Sequence, residues 1–459
     1  MTARPRVAVI GGGIAGLAAA LDLAERADVT VFEAKDRLGG PMQTVDFAGT
    51  RIDTGPDSFL ARRPEMIDLA TRLGLGHTLV APAVGEAAVW SRGALRKMPA
   101  GMVLGVPRSM KSLAASGIVS RAGVARAALD KVLPRSKVGA DIGVGDLVRR
   151  RLGHEVQERL VDPLLGGIHA GRSELLSAAV AAPQLLGAAR GARSLMESLP
   201  TLPPSSDPVF LTVPSGLGDV VGAALAALDA AGTTIATNTP IGELRFAAGG
   251  CDVVSVSGDA IAFDGVVLAT PSPVTARLLT RLAPDAASAL STVTYASVVL
   301  TLFAYKSDAL REPFRLSGFL VPRPEKKLLS AISWSSAKWA HHRGEGTELV
   351  RASTGRIDDR RHEDIDDADL VARLHDEIVA AIGLRAPAPI EARVNRWPNA
   401  LPQFKVDHLT KVAGRSHAAA AQAAFPLALA GSAYEGLGLP ACVASGRAAA
   451  ARVLDALKA

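Results

Sequence analysis

Hydrophobic residues at the start of the chain change from a strand pattern to a helix pattern and back again. Residues 7–10 are a short apolar run with β-branched side chains, typical of a strand buried in a parallel sheet. Residues 17–27 are rich in alanine and leucine and predict a helix. Residues 29–32 predict a second strand, which ends at Glu33. This order predicts the first strand–helix–strand unit of a parallel sheet.

A glycine-rich turn joins the first strand to the helix. Gly11, Gly13 and Gly16 have G-x-G-x-x-G spacing, with Gly12 between them, so the backbone can turn sharply and approach a pyrophosphate. The first N–H groups of the helix lack intrahelical partners and lie at the positive end of its dipole. Glu33 can accept hydrogen bonds from ribose hydroxyls and would repel a ribose phosphate, which favours FAD or NAD over NADP.

Two other interpretations of this segment explain less. A lone G-x-G-x-x-G is weak evidence, and the basic start followed by uncharged residues up to Leu21 is similar to a secretory signal. However, the glycines interrupt the apolar run, no small-residue cleavage site follows, and Glu33 stands where a ribose ligand is expected. The segment therefore predicts a dinucleotide site.

Later patterns predict that the nucleotide-binding domain is interrupted twice. Residues 85–204 have a helical pattern with frequent glycine and proline, and the Pro/Ser-rich segment 201–208 predicts a boundary. Helix and strand patterns then resume, with an apolar run at 266–269 that predicts a central strand and a hairpin expected to extend the same sheet.

A second group of strands predicts an antiparallel sheet. Alternating or apolar runs occupy residues 295–305, 318–321, 328–334 and 349–354. A helix over 366–382 and a strand near 391–397 complete this group.

The predicted fold class is mixed α/β, with a Rossmann-like FAD-binding domain, an antiparallel-sheet substrate domain and an inserted helical domain. The predicted domains are residues 1–84, 205–271 and 398–459 for FAD binding, 85–204 for the helical insert and 272–397 for the substrate domain.

Composition excludes several other classes of protein. The chain has 459 residues, of which 48% are hydrophobic but only 4% aromatic, and no apolar run of membrane-spanning length occurs outside the glycine-interrupted start. Cys251 and Cys442 are far apart and have no C-x-x-C spacing, which predicts neither a disulfide framework nor a metal site. We therefore expect a cytoplasmic protein.

The net charge of +6 comes largely from one region. Between residues 92 and 137 a single acid, Asp130, stands among many basic residues: Arg92, Arg96, Lys97, Arg108, Lys111, Arg121, Arg126, Lys131, Arg135 and Lys137. No nucleic-acid-binding module accompanies them, so a solvated surface and a weak peripheral contact with an anionic membrane are the two interpretations.

Two further glycine-rich segments predict a close backbone approach to the cofactor. Gly39 and Gly40 let the chain bend back along it, and Arg37 can reach its phosphates. Near the C-terminus, glycines at 431, 436 and 438 precede Pro440, which suits the first turn of a helix. A bend is predicted at Gly166 and Gly167, whereas the nearby histidines at 154 and 169 are interpreted as structural.

Several segments together resemble the bacterial flavoprotein porphyrinogen oxidases of haem synthesis, within the amine oxidase-like FAD superfamily. The segment GPDSFL is similar to the coproporphyrinogen III oxidase branch. The other segments that carry the resemblance are DRLGG, VDPLLGGIHAG, SSAKW, RWPNALPQFKVDH and GSAYEGLGLPACVASG. Two departures are Ser353, where Bacillus-type proteins have tyrosine, and Pro41, which removes a backbone donor.

The resemblance implies a set of FAD contacts. For Ile241 and Trp397 it is the only argument, since either side chain alone is typical of core packing. Together with the residues argued above, the predicted cofactor-binding set is Gly11, Gly12, Gly13, Ile14, Ala15, Gly16, Glu33, Ala34, Arg37, Gly39, Gly40, Gly55, Pro56, Asp57, Ser58, Ile241, Trp397, Leu437, Gly438 and Leu439.

The activity that the resemblance implies is the six-electron oxidation of coproporphyrinogen III, with FAD reoxidised by oxygen to give hydrogen peroxide. The partners implied are the porphyrinogen, oxygen and a ferrochelatase. The carbonyl of Gly167 is a candidate proton acceptor. The four propionates of this substrate favour cations, and the candidates are Arg62, Arg63, Lys338 and Arg351.

Three alternatives remain open at this point. A protoporphyrinogen IX oxidase is the first, and a flavin amine oxidase or carotenoid desaturase is the second. The third is a non-catalytic escort or membrane adaptor that keeps the FAD fold.

Overall fold

The structure is a computed structural model that describes residues 4–200, 207–247, 249–310, 312–344 and 346–458. Most of the boundary segment predicted at 201–208 therefore lies outside the described residues.

The strands and helices alternate in the first part of the chain, as in an α/β protein. The strands are β1 Arg6–Ile10, β2 Asp28–Phe32, β3 Thr44–Phe47, β4 Thr50–Asp53, β5 Phe59–Leu60, β6 Ala87–Ser91, β7 Ala94–Lys97, β8 Phe210–Leu211, β9 Thr234–Ala236, β10 Ile241–Ala247, β11 Gly250–Ser255, β12 Ala260–Phe263, β13 Gly265–Leu268, β14 Tyr295–Lys306, β15 Gly318–Leu320, β16 Leu329–Trp334, β17 Thr347–Thr354, β18 Glu391–Pro402 and β19 Leu427–Leu429.

Helices occur along the whole chain, and the longest series of helices without an intervening strand lies between residues 110 and 191. They are α1 Ile14–Leu23, α2 Pro64–Arg72, α3 Met110–Ser116, α4 Arg121–Ala128, α5 Val144–Leu152, α6 His154–Val156, α7 Asp162–His169, α8 Ala178–Ala181, α9 Pro183–Gly191, α10 Gly218–Ala230, α11 Ser272–Leu279, α12 Pro284–Ser291, α13 Ser335–Lys338, α14 Asp367–Ile382, α15 Arg415–Ala420 and α16 Leu439–Ala456, with π-helical turns at Gln157–Val161 and Leu409–Gly414.

A five-stranded parallel sheet lies at the centre of the nucleotide-binding domain, in the order β19-β13-β1-β2-β9. In β1, Val9 pairs with Val31 of β2 and with Val267 of β13. All three side chains are fully buried because helices cover the sheet. The predicted Rossmann-like architecture is confirmed, including strand pairs contributed by distant parts of the chain.

Helix α1 is shorter than the sequence predicts. It ends at Leu23 rather than at residue 27, and Ala27 N–H bonds the carbonyl of Leu23 at 2.9 Å. Arg4 donates to the carbonyls of Ala24 and Ala27 at 2.6 and 3.0 Å. These bonds satisfy carbonyls beyond the last turn of the helix. The alanine-rich sequence pattern therefore extends to residue 27, although the helix ends at Leu23.

The second sheet has seven strands, in the order β18-β14-β17-β16-β15-β6-β7. All its pairs are antiparallel except β15 with β6. The helical prediction for residues 87–97 is wrong, because these residues form β6 and β7. Positive φ angles of 57° at Arg92 and 74° at Gly93 make the two-residue turn between them.

Strand β18 continues to Pro402, five residues beyond its predicted end at 397. It stays paired along β14, from Glu391 opposite Ala304 to Pro402 opposite Tyr295, with a bulge near Trp397. The proline at 398 falls at this irregularity, where a missing N–H is tolerated.

The helical domain packs around a core of its own, formed by α3 to α9. Inside it the bend predicted at Gly166 and Gly167 is wrong. Helix α7 runs through both glycines to His169 and ends at Ala170, whose φ of 48° is left-handed. A π-helical turn directly precedes α7. The chain thus enters α7 directly from helical turns, and Gly166 and Gly167 lie within the helix rather than at a bend.

Strands β10, β11 and β12 form a separate three-stranded sheet, so the prediction that this hairpin extends the parallel sheet is wrong. Phe263 of β12 packs edge-on against Phe32 of β2, with ring centroids 5.9 Å apart. No helix within the described residues is long and apolar enough to cross a membrane.

Candidate functional site

The glycine-rich turn between β1 and α1 leaves no room for side chains at two positions. Gly11 has a φ of 109°, and a Cβ there would lie 2.6 Å from the carbonyl oxygen of Ala269. A Cβ at Gly16 would overlap the carbonyl oxygen of Gly11. Gly11 is therefore required by the packing of the turn against the residue that follows β13, and Gly16 by the packing of the turn itself.

Gly13, in contrast, faces open space. It is the N-cap of α1 and supplies no side-chain cap, and a Cβ built on it meets no described heavy atom within 4 Å. The N–H groups of the first helical turn thus point into an unfilled region at the positive end of the helix. The geometry fits an anionic pyrophosphate.

Glu33 lies directly beyond β2 and next to this turn. Its carboxylate accepts hydrogen bonds from the N–H of Gly12 at 2.8 Å and of Lys35 at 3.0 Å. Ala34 beside it is exposed. A neighbouring cavity of about 550 Å³ is lined by residues that include Arg37 and Thr237. Glu33 does not line this cavity, but its carboxylate is oriented by two backbone N–H groups at the end of β2, where a ribose ligand is expected.

The loop with Gly39 and Gly40 lies against the glycine-rich turn. Gly39 N–H donates to the carbonyl of Gly12 at 2.7 Å, and a Cβ at Gly40 would lie 3.6 Å from the Cα of Gly13. Arg37 donates to the carbonyl of Gly40 at 2.7 Å and also to Gln43. In this structure Arg37 stabilises the loop, and its predicted phosphate contact stays a prediction.

The same loop reaches the Gly55–Ser58 turn that follows β4. A Cβ at Gly55 would overlap the carbonyl oxygen of Pro41. Trp397 of β18 donates its indole N–H to the carbonyl of Thr54 at 2.9 Å. This turn therefore lies between the nucleotide-binding domain and the seven-stranded sheet.

Asp57 brings together two of the predicted substrate cations. Its Oδ2 is 2.6 Å from Nη1 of Arg351 and 2.9 Å from Nζ of Lys338. Ser58 donates to the other carboxylate oxygen at 3.0 Å. Burial raises the pKa of Asp57, but Arg351 and Lys338 outweigh burial and leave that pKa well below its usual range. Asp57 is therefore ionised.

Arg62 and Arg63, the other two predicted substrate cations, are both exposed. Arg63 pairs with Glu65, with Nη2 2.7 Å from Oε1. Arg62 makes no ion pair with any described residue. The four predicted cations thus belong to two different environments: Lys338 and Arg351 are largely buried and share one carboxylate, whereas Arg62 and Arg63 are at the surface.

The C-terminal glycine turn leads into a second helix start that lacks a side-chain cap. Gly438 is the N-cap of α16, flanked by the half-buried Leu437 and Leu439. Helix α16 packs closely against α1, since a Cβ at Gly446 would overlap the carbonyl oxygen of Ala15. The first and last helices of the domain therefore lie side by side.

Ile241 is buried at the start of β10 and packs in a core cluster with Ile10 and Phe32. Its place beside the end of β2 is compatible with a cofactor contact through its backbone. Its predicted role stays a prediction.

Gly167 is exposed on α7, and a Cβ there would lie 3.4 Å from Leu320 of β15. It belongs to the last four residues of the helix, where carbonyls lack an N–H donor from a following helical turn. His169 is buried, and burial lowers its pKa to about 4. His154 is at the surface, 3.0 Å from Glu158.

Trp339 and His342 belong to the site but were not predicted individually. Trp339 donates to Asp57 Oδ2 at 3.3 Å. Burial lowers the pKa of His342 to about 3, so this side chain is neutral beside Arg351. Trp339 lies in the SSAKW segment already singled out, whereas a buried histidine has no signal in sequence. A separate cavity of about 680 Å³, lined by residues such as Lys405, includes none of the predicted site residues.

A parallel sheet with an uncapped helix start after a glycine turn, and an acid at the end of the next strand, defines a dinucleotide-binding oxidoreductase fold. The chain belongs to the flavin containing amine oxidoreductase family, whose sequence profile matches residues 14–454. Its cofactor is FAD.

Relatives of similar length share about a third of the sequence. The coproporphyrinogen III oxidase of Bacillus subtilis is 32% identical, with 99% of this chain and 98% of the relative covered. That of Mycobacterium bovis is 35% identical, with 98% of each covered. A crystal structure of a protein from Exiguobacterium sp. 255-15 has a TM-score of 0.88 at 27% identity and covers 98% of this chain and 99% of that one.

Proposed function

We propose that this protein oxidises coproporphyrinogen III to coproporphyrin III in haem biosynthesis, with oxygen as the acceptor and hydrogen peroxide as the second product. The observation that carries the proposal is the near-complete coverage of relatives with that name at 32% and 35% identity.

The reaction removes six electrons, and bound FAD accepts two at a time. The chain has to bind and orient the porphyrinogen and exclude competing reactions. The uncapped start of α1 and Glu33 would bind the ADP half of the cofactor. The Gly55–Ser58 turn would then hold the other end, next to the seven-stranded sheet.

The substrate carries four propionates, which require cations at the pocket. Arg62 and Arg63 are exposed and follow the Gly55–Ser58 turn directly, so they are the better placed of the candidates. Lys338 and Arg351 already share the carboxylate of Asp57. A propionate would have to compete with that carboxylate for them.

Protons must also leave two of the four pyrrole nitrogens as the macrocycle is oxidised, since the porphyrin keeps two N–H groups. The carbonyl of Gly167 is suitably exposed near the end of α7 to accept a hydrogen bond from a pyrrole N–H. A neutral carbonyl orients the nitrogen without adding charge to the pocket.

Turnover of anaerobically prepared coproporphyrinogen and protoporphyrinogen, measured side by side, tests the proposal. We expect faster formation of coproporphyrin, with three peroxides released per porphyrin. A preference for protoporphyrinogen would instead favour the second candidate, protoporphyrinogen IX oxidase, which a 29% identical relative from Bos taurus supports.

The absorbance spectrum of the purified protein distinguishes these enzymes from a non-catalytic escort. We expect a yellow protein that bleaches with porphyrinogen and recovers in air. A protein that binds FAD but never bleaches with either porphyrinogen would contradict the oxidase proposal.

A ferrochelatase that receives the product and a weak contact with an anionic membrane complete the proposal. Part of the basic surface is already neutralised, since Lys131 pairs with Glu197 at 2.8 Å and Lys97 with Glu86 at 2.9 Å. Co-sedimentation with anionic liposomes should therefore be weak and should disappear at raised salt. Binding that persists in salt would contradict an electrostatic contact.

A further inference from the structure

Asp57, Lys338 and Arg351 form a buried group of three charges, called here the Asp57 trio. The exposed fractions of their side chains are 15%, 14% and 6%. A single oxygen, Oδ2 of Asp57, contacts both cations and also accepts the indole N–H of Trp339. Two cations and one carboxylate leave the trio with a charge of +1.

The nearby titratable side chains add no positive charge, and one of them, Asp53, interacts electrostatically with Arg351 and offsets part of its charge. His341 and His342 lie beside the trio, and burial lowers the pKa of both, so neither adds a charge at neutral pH. Asp53 is buried nearby, but its carboxylate accepts from Thr44 at 2.5 Å and from the N–H of Leu217 at 3.0 Å. Burial raises the pKa of Asp53.

The trio is connected to the cofactor turn by a series of contacts that ends at the guanidinium of Arg351. Gly39 N–H bonds the carbonyl of Gly12, Gly55 packs against Pro41, and Arg351 donates to the carbonyl of Gly55. The trio therefore lies at the end of the site that faces the seven-stranded sheet, away from Glu33. This is where the flavin end of an extended FAD would lie if its ADP half binds at α1.

We propose that the Asp57 trio sets the reduction potential of the bound FAD, rather than binding the substrate's propionates. Reduced FAD carries more negative charge than oxidised FAD, and fixed charge near the flavin tunes its electronics. Charge acts over longer distances in a buried site than in water. Lys338 and Arg351 favour reduction, and Asp57 limits their effect.

The proposal rests on FAD binding and on the position proposed for the flavin, but it does not depend on which porphyrinogen is oxidised. Its test therefore uses the purified protein with FAD and no porphyrinogen. The midpoint potential is measured by titration against a reference dye, so a wrong substrate assignment would leave the result unaffected.

Two variants change the charge in opposite directions. K338M removes one positive charge and should make reduction about tenfold less favourable, a fall of about 30 mV for a two-electron couple. D57N removes the negative charge and should shift the potential upward by a similar amount. K338R keeps the charge and should leave the potential unchanged.

Lys97 provides the matched control. It is an exposed lysine that also pairs with a carboxylate, Glu86, at 2.9 Å. Its strand, β7, is four strands from the strand of Arg351, or about 19 Å across the sheet. K97M makes the same charge change and should leave the potential unchanged, because solvent and salt screen it.

Shifts of opposite sign in K338M and D57N, with none in K338R or K97M, would support the proposal. Shifts of the same sign, or of less than twofold in the reduction equilibrium, would overturn it. Loss of FAD from both K338M and D57N, with K338R still holding it, would also overturn it, because the pair would then be required only for structure.

Discussion

Alanine at Gly13 should weaken FAD binding while leaving the apoprotein intact. Gly13 has φ −70° and ψ 175°, a conformation open to any residue, and its Cβ position is free of described atoms to 4 Å. Alanine restricts the unfolded chain, which stabilises the apoprotein by about 0.4–1 kcal/mol, but it is a poorer N-cap than glycine by a similar amount, so the net change should be within about 1 kcal/mol. The added methyl would instead occupy the space in which the pyrophosphate approaches the helix.

Alanine at Gly16 is the matched control, three residues further along the same motif. Within a helix, alanine is more favourable than glycine by about 1 kcal/mol. The Cβ at Gly16, however, would overlap the carbonyl oxygen of Gly11 and lie 3.3 Å from Ala269. Overpacking of this kind costs about 1–3 kcal/mol, so G16A should destabilise the apoprotein.

Urea unfolding of the apoproteins and FAD titration followed by flavin fluorescence separate the two effects. We expect G13A to unfold within about 1 kcal/mol of the wild type while its dissociation constant for FAD rises at least tenfold, about 1.4 kcal/mol. G13A with wild-type FAD affinity would refute the assignment of the space in front of α1 to the cofactor. A G13A apoprotein destabilised by more than about 2 kcal/mol would refute the packing argument.

Three further predictions concern the helical domain and the substrate. D130N should cost about 3–5 kcal/mol in denaturant unfolding, because Arg151, 2.6 Å away, would keep a buried uncompensated charge; a cost below 1 kcal/mol would contradict this. Burial lowers the pKa of His169 from 6.5 to about 4, so the unfolded chain binds more protons than the folded chain between those two pH values. The free energy of unfolding should therefore decrease by about 3 kcal/mol as the pH is lowered through that window. H169F should flatten that slope in urea unfolding measured from pH 7 to 4, and an unchanged slope would assign it to other groups. R63A should raise the apparent KM for coproporphyrinogen and leave bound FAD intact, and an unchanged KM would exclude Arg63 from the pocket.

The elements best predicted from sequence were those whose pattern is local. Helix α14 and strands β14 to β17 were predicted within two residues of their observed ends, because periodicity and flanking turns define them. Strands β6 and β7 were missed, since the sheet reaches this hairpin through the pairing of β6 with β15, which lies more than 200 residues away. The two-residue turn at Arg92 and Gly93 was the local signal that could have revealed the hairpin.

The residues of the candidate site fall into the same two groups, those that a local pattern predicts and those that only the fold brings together. Spacing alone predicted Gly11, Gly13 and Gly16, since the motif lies within a single turn between a strand and a helix. The contact of Lys338 and Arg351 with Asp57 joins residues about 280–290 positions apart, and no periodicity encodes it. Charge type suggested cations near a carboxylate substrate. Only the fold shows that the chain supplies a carboxylate of its own.

The proposed cofactor site is assembled from parts of the chain that lie far apart in sequence. Helix α1 packs against α16 through Gly446, and the Gly55–Ser58 turn is held by Trp397 and Arg351 from the second sheet. Such contacts carry a high loop-closure cost and form late in folding. A ligand that binds only the assembled site stabilises all of these contacts together. FAD should therefore protect the two ends of the chain and the seven-stranded sheet in concert, rather than the glycine turn alone.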